Sequence, residues 1–101
     1  MREKQLLAYL KGACPGRAYR ANSAELERAL HLSGTDLRKL VNKLRRQGIP
    51  VASDRQGYFY AVNAGEVYTT IRQLNQMKQG LDAAIQGLEG ALDLFGGEAL
   101  E

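Results

Sequence analysis

The chain of 101 residues predicts a mainly α-helical protein with one small β-hairpin and a long helix toward its C-terminal end. Three observations carry that expectation. Two capping signatures, Asn22-x-x-Glu25 and Ser33-x-x-Asp36, each open a helical pattern, and the first pattern breaks at His31-Leu32-Ser33-Gly34. Two runs of strand-forming residues flank a charged tip in GIPVASDRQGYFYA, residues 48–61. Beyond Asn63, apolar residues recur at alternating steps of four and three.

The elements follow in order. Leu6, Leu7 and Leu10 fall at i, i+1 and i+4, which suits a short amphipathic helix ending near Gly12. ACPGRAYRA, residues 13–21, carries Pro and Gly and reads as a loop, with a short extended segment at Ala18-Tyr19-Arg20. A second helix capped by Asn22 buries Leu26, Ala29 and Leu30. A third helix, GTDLRKLVNKLRRQ, is capped by Ser33 and stopped by Gly48. A turn of about three residues between two helices is the spacing of a helix-turn-helix. The hairpin runs from Ile49 to Ser53 and from Tyr58 to Val62, with Gly57 suited to a positive φ in its loop. Pro50 sits at the strand start, where a missing N–H does little harm. Phe59 lies on the face opposite Tyr58 and Tyr60, and the pattern leaves open which side is buried. Asp54 either opposes the basic trend of the tip or fixes the turn through its side chain.

Three helices and a two-stranded hairpin in this order make a winged helix-turn-helix. The stretch LSGTDLRKLVNKLRRQGIPVASDRQGYFYA also resembles the winged helix at the N-terminus of biotin repressors and related transcription regulators. The matching features are the Ser33 cap, then Gly48-Ile49-Pro50-Val51-Ala52-Ser53, then Gly57-Tyr58-Phe59-Tyr60. The resemblance covers roughly residues 4–62 and implies binding of double-stranded DNA.

Charge points the same way. Residues 1–62 hold 12 Lys and Arg against 5 Asp and Glu, while residues 63–101 hold 2 against 6. A basic head suits a polyanion, and the acidic remainder needs another task. On the third helix, Leu37, Leu40, Val41 and Leu44 cluster on one side and mark the core. The other side carries Thr35, Lys39, Asn42 and Arg46, flanked by Arg38 and Lys43. Residues 38–46 hold five cations and no acid, more than solvation alone requires. Thr35, Arg38, Lys39 and Asn42 suit base edges, and Lys43, Arg45 and Arg46 suit phosphates. Arg55 and Gln56 at the hairpin tip would reach the backbone or the minor groove.

The final helix opens at Asn63-x-x-Glu66. Ile71, Lys78, Ile85 and Leu92 take heptad position a, and Val67, Leu74, Leu81, Leu88 and Phe95 take d. Eight of these nine positions are apolar, which predicts a coiled coil. Ile at a with Leu at d favours a parallel dimer, and Lys78 lowers its stability while pinning register. Met77, Ala84 and Ala91 at g broaden the stripe, so a higher oligomer or an antiparallel pair stays open. Gly80, Gly87 and Gly90 each cost roughly 1 kcal/mol of helix stability. A parallel pair would hold two heads ready for half-sites about 34 Å apart.

The expected organisation is a winged helix-turn-helix domain over 1–62, an oligomerisation helix over 63–95 and a flexible tail over 96–101. No apolar run approaches the roughly 18 residues that span a bilayer, and MREKQLLAYLKG lacks the pattern of a signal peptide, so a cytoplasmic protein is expected. Cys14 and His31 each stand alone, the one a passive loop thiol and the other a helix-end residue, and neither metal nor cofactor is implied. No nucleophile, base and orienting group stand at a recognisable spacing, so no enzyme is expected. The expected function is sequence-specific DNA binding as a homodimer, as a bacterial or phage transcription regulator. The alternatives are a phage replication or packaging component, similar to a small terminase subunit, and an adaptor binding protein through both elements.

Overall fold

The computed structural model describes residues 2–96. In chain order the elements are α1 (Arg2–Ala13), a 3-10 turn (Arg17–Tyr19), α2 (Ser23–Leu30), α3 (Gly34–Arg46), β1 (Val51–Asp54), β2 (Gly57–Tyr60), α4 (Ala64–Ala91) and a closing 3-10 turn (Leu92–Phe95). The protein is therefore mainly helical, with a two-stranded antiparallel hairpin and a long C-terminal helix. Two compact units divide it, one ending at Thr70 and one beginning at Ile71. The expected tail lies, from residue 97 onward, outside the described residues.

The first unit is built on one apolar core. Leu6 and Leu10 of α1, Leu26 of α2, and Leu37, Val41 and Leu44 of α3 are buried with Val51, Ala52 and Phe59 of the hairpin. Phe59 is fully enclosed while Tyr58 and Tyr60 are half-buried, so the face opposite the tyrosines is the inner one. Ala29, expected inside, is exposed, and Leu30 and Leu40 are half-buried edges of the core. Cys14 lies in the loop after α1, as expected, yet is buried in the core, and burial pushes its thiol pKa up.

Capping decides where the helices begin and stop. The Asn22 side chain accepts from the Glu25 N–H at 2.8 Å, and the Glu25 carboxylate accepts from the Asn22 N–H at 3.2 Å, a complete capping box. His31 ends α2 in the left-handed region at φ 55°. Two residues later Ser33 Oγ accepts from the Asp36 N–H at 3.1 Å and starts α3. At the far end Gly48 takes φ 86°, and its N–H donates to the Arg45 carbonyl at 3.0 Å. The Ile49 N–H donates to the Leu44 carbonyl at 3.1 Å, which completes a Schellman stop.

The hairpin differs from expectation in its loop. Asp54 faces Gly57 across a two-residue tip, Arg55-Gln56. Neither tip residue has a positive φ, and neither does Gly57. Instead Asp54 Oδ1 accepts from the Gln56 and Gly57 N–H groups, at 2.8 and 3.1 Å, and holds the turn. Gly57 is required for another reason. A Cβ there would stand 2.3 Å from the Ala21 carbonyl oxygen, because two backbones touch at that point.

That contact belongs to a third edge that composition did not reveal. The extended segment expected at Ala18-Tyr19-Arg20 is instead the 3-10 turn Arg17–Tyr19 and its cap, and the strand-like pairing falls on either side of it. Tyr58 exchanges two backbone hydrogen bonds with Ala21, at 2.8 and 3.0 Å. The Tyr60 N–H donates to the Cys14 carbonyl, and the Gly16 N–H to the Tyr60 carbonyl, both at 2.8 Å. The outer side of β2 is thus occupied along its length.

Two turns of α4 belong to the same unit. Asn63 Oδ1 accepts from the Glu66 N–H at 2.9 Å, the expected cap. The Glu66 carboxylate then accepts from the Val62 N–H at 2.9 Å and, 49 positions away in sequence, from the Arg17 N–H at 3.0 Å. These two backbone donors, Val62 first, hold its pKa below the usual glutamate range. Thr70 Oγ1 accepts from the Ser53 N–H at 3.1 Å, fastening α4 to β1. Val67 packs against the core, so this first seam position is engaged within its own unit.

Candidate nucleic-acid interface

Helix α3 sets out the candidate surface. Its buried side is fixed by Leu37, Val41 and Leu44, at the three- and four-residue steps of one helical stripe. Thr35, Arg38, Lys39, Asn42 and Arg46 lie opposite and are all exposed. Among the described residues, Arg38, Lys39 and Arg46 form no ion pair, so three cations face solvent together. Arg38 reaches back to Thr35 Oγ1 at 3.4 Å, a long contact that orients the guanidinium along the first turn.

The two cations at the margins of this face are engaged elsewhere. Lys43 Nζ sits 3.0 Å from the Glu3 carboxylate of α1. Hydrogen bonds from Lys43, and then from Gln47, hold the Glu3 pKa below its ordinary value. Arg45, expected to meet phosphate, turns the other way. Its Nε donates to the Val51 carbonyl at 2.8 Å and a terminal nitrogen donates to Ser53 Oγ at 3.0 Å. Burial lowers the pKa of this guanidinium from its ordinary value. A helical wheel holds the signal: at 100° per residue, Lys43 and Arg45 stand about 80° to either side of Thr35, where long side chains reach neighbouring elements.

The hairpin tip presents Arg55 and Gln56, both exposed. They line a cleft of about 460 Å³ together with Asn22, Ser23 and Ala24, so the tip adjoins the start of α2. Asp54 does not reduce the positive field at the tip unopposed. Its second oxygen lies 3.6 Å from Arg20 and 3.8 Å from Arg17. Sequence reasoning missed these two arginines, since nothing local indicates that the 13–21 segment folds beside the hairpin.

On the second unit, the seam residues Ile71, Leu74, Leu81, Ile85, Leu88, Leu92 and Phe95 are exposed on a helix that, within the described residues, has no covering element of its own. α4 ends at Ala91, and Leu92 and Phe95 share one side of the 3-10 turn that follows, which Gly96 closes at φ 57°. No helix among the described residues is long and apolar enough to cross a membrane.

Comparison of the chain with protein-family models, with curated proteins and with solved structures returned no match. The chemistry of the surfaces is therefore the basis for a functional reading.

Proposed function

We propose that the protein binds double-stranded DNA as a winged-helix module, with α3 in the major groove and the β1–β2 hairpin as the wing. Thr35, Arg38, Lys39 and Asn42 meet base edges, Arg to guanine and Asn to adenine. Arg46 meets phosphate, as does Lys43 on exchanging its exposed partner Glu3, since a surface ion pair is worth little. Arg55 and Gln56 lie along the backbone or in the minor groove. Arg45 is left out of this set because it serves β1. The exposed seam of α4 joins two copies, and the paired protein acts in the cytoplasm as a sequence-specific regulator of transcription.

The observation that carries this reading is the unpaired cationic side of α3. Three long cations, a threonine and an asparagine on one exposed stripe suit a polyanion with readable edges better than they suit water alone. Binding to duplex DNA, measured from 50 to 200 mM salt, tests it. Affinity should fall steeply, Arg46→Ala should lower the salt slope by about one, and Lys39→Ala should cost about 1–3 kcal/mol and relax specificity. A wild-type affinity that ignores salt, or a double variant that binds as well as wild type, overturns the proposal in favour of a protein partner.

A further inference from the structure

The seam of α4 contains one residue that sorts its possible partners. Leu81 and Leu88 are 65 % and 71 % exposed, and between the apolar positions Ile71, Leu74, Leu81 and Ile85 stands Lys78. We propose that two copies of α4 pair antiparallel, in the register that sets Lys78 of one copy opposite Leu88 of the other. The inference rests on the paired protein proposed above and fixes the direction and offset of its pairing.

Charge decides the direction. Each seam residue enters a hole formed by four residues of the facing helix. In a parallel pair, position a faces a, so Lys78 enters the hole of Leu74, Met77, Lys78 and Leu81 of the second copy. Two ammonium groups then share an apolar layer whose facing hole holds no carboxylate, with only Asp82 one turn along each lysine's own helix, which combines repulsion with desolvation. In an antiparallel pair, position a faces d. The hole becomes Ile85, Leu88, Glu89 and Leu92 of the second copy. Each Lys78 then lies beside a Glu89 carboxylate, so two opposite-charge contacts replace the Lys78–Lys78 contact against one screened like-charge contact between the Asp82 residues at the outer margin. This outweighs the pull of Ile at a and Leu at d toward a parallel pair.

The remaining positions fit the same offset. Leu81 faces Ile85 within α4, while Leu74 and Ile71 face Leu92 and Phe95, which share one side of the 3-10 turn that continues α4, so the apolar seam from Ile71 onward is covered. At the two-fold axis Ala84 meets Ala84, small enough for close approach. Asp82 meets its own copy across the outer margin, where water and salt screen the pair. A slide of one heptad toward the N-terminus brings Lys78 opposite Leu81 and the two ammonium groups within about a turn of each other. It also draws on Val67, which already packs in its own core. A slide the other way leaves Ile71 and Leu74 with no facing residue among those described.

Disulfide trapping in the full chain tests direction and offset together. Leu74→Cys and Leu92→Cys proteins are oxidised mildly, each alone and then mixed, with wild type as the blank for the buried Cys14. In the proposed register two copies of position 74 stand 18 residues apart along the helix. That is about 27 Å at 1.5 Å per residue, far beyond the roughly 7 Å limit between bridged Cα atoms. A covalent dimer in the mixture alone supports the proposal. Self-linking of each variant establishes a parallel pair and overturns it. Trapping in no tube, with dimers in sedimentation, overturns the register. Monomers at micromolar concentration overturn the pairing itself, and leave DNA binding by the first unit standing. Charge exchange gives a second readout in which every protein retains a helical spectrum. Lys78→Glu should weaken self-association about tenfold, and adding Glu89→Lys should recover most of it. A double variant no better than the single one overturns the Lys78–Glu89 contact.

Discussion

Replacing Arg45 with alanine separates a structural role from the proposed contact with DNA. In the native protein the Arg45 guanidinium donates to the Val51 carbonyl and the Ser53 hydroxyl, at 2.8 and 3.0 Å. A hydrogen bond from a charged donor contributes about 1.5–3 kcal/mol, and desolvating the guanidinium offsets part of the two. The net loss for Arg45→Ala is then about 2 kcal/mol. For a unit of this size, 1 kcal/mol moves the midpoint by roughly 4–8 °C, so the variant should melt roughly 8–16 °C lower. Thermal unfolding followed by circular dichroism measures this, at one protein concentration because self-association makes the midpoint concentration-dependent. Duplex affinity, measured well below both midpoints, should stay within about threefold of wild type, whereas removal of a phosphate contact costs more. Arg45→Lys should recover little stability, since one ammonium cannot serve both acceptors with the geometry of a planar fork. A midpoint within about 2 °C of wild type, with affinity reduced tenfold or more, would show that Arg45 faces DNA and refute this account.

Gly57→Ala should be among the most damaging single changes in the hairpin, because its Cβ would collide with the Ala21 carbonyl, a backbone group that cannot turn aside as a flexible side chain would. A loss of about 3 kcal/mol in urea unfolding is expected, and near-wild-type stability would contradict the close approach. Glu66→Gln tests the tie between Arg17 and the start of α4. A depressed carboxylate contributes fully above the ordinary glutamate pKa of about 4.3 and loses that contribution as pH falls through its lowered folded value. The variant should therefore be less stable than wild type at pH 7, with the gap closing below about pH 4. A gap that holds constant down to pH 3 would point to lost packing instead. Thr70→Val removes the acceptor for the Ser53 N–H, so about 1 kcal/mol should be lost. Hydrogen exchange at the Ser53 amide should quicken, and unchanged protection there would deny the contact.

Helix α3 and the hairpin were legible because each is specified locally. Ser33 supplies a cap, four apolar positions keep one stripe, and Gly48 provides the left-handed stop. The hairpin announces itself in Val51 and the Tyr58-Phe59-Tyr60 run. What escaped notice is non-local. Backbone groups carry the pairing of Cys14, Gly16 and Ala21 with β2, and every residue owns those groups, so composition is silent about it. Glu66 looked like half of a capping box, yet its carboxylate spans 49 positions to Arg17. The sequence reads Gly57 as a conformational glycine, but the constraint on it is spatial. Arg45 shares its neighbours' charge, and only its position beside β1 distinguishes its task.

Occupied margins on both sides of the β1–β2 hairpin have a consequence for colloidal behaviour. An open strand edge is a template on which other chains can add. Here one margin is taken by residues 14–21, and on the other the Val51 carbonyl and Ser53 amide are filled by the Arg45 and Thr70 side chains. Mutations that vacate Arg45 or Thr70 would therefore do more than soften the protein. They would uncover hydrogen-bonding groups able to seed fibrils, so turbidity and thioflavin staining should rise before the helices melt.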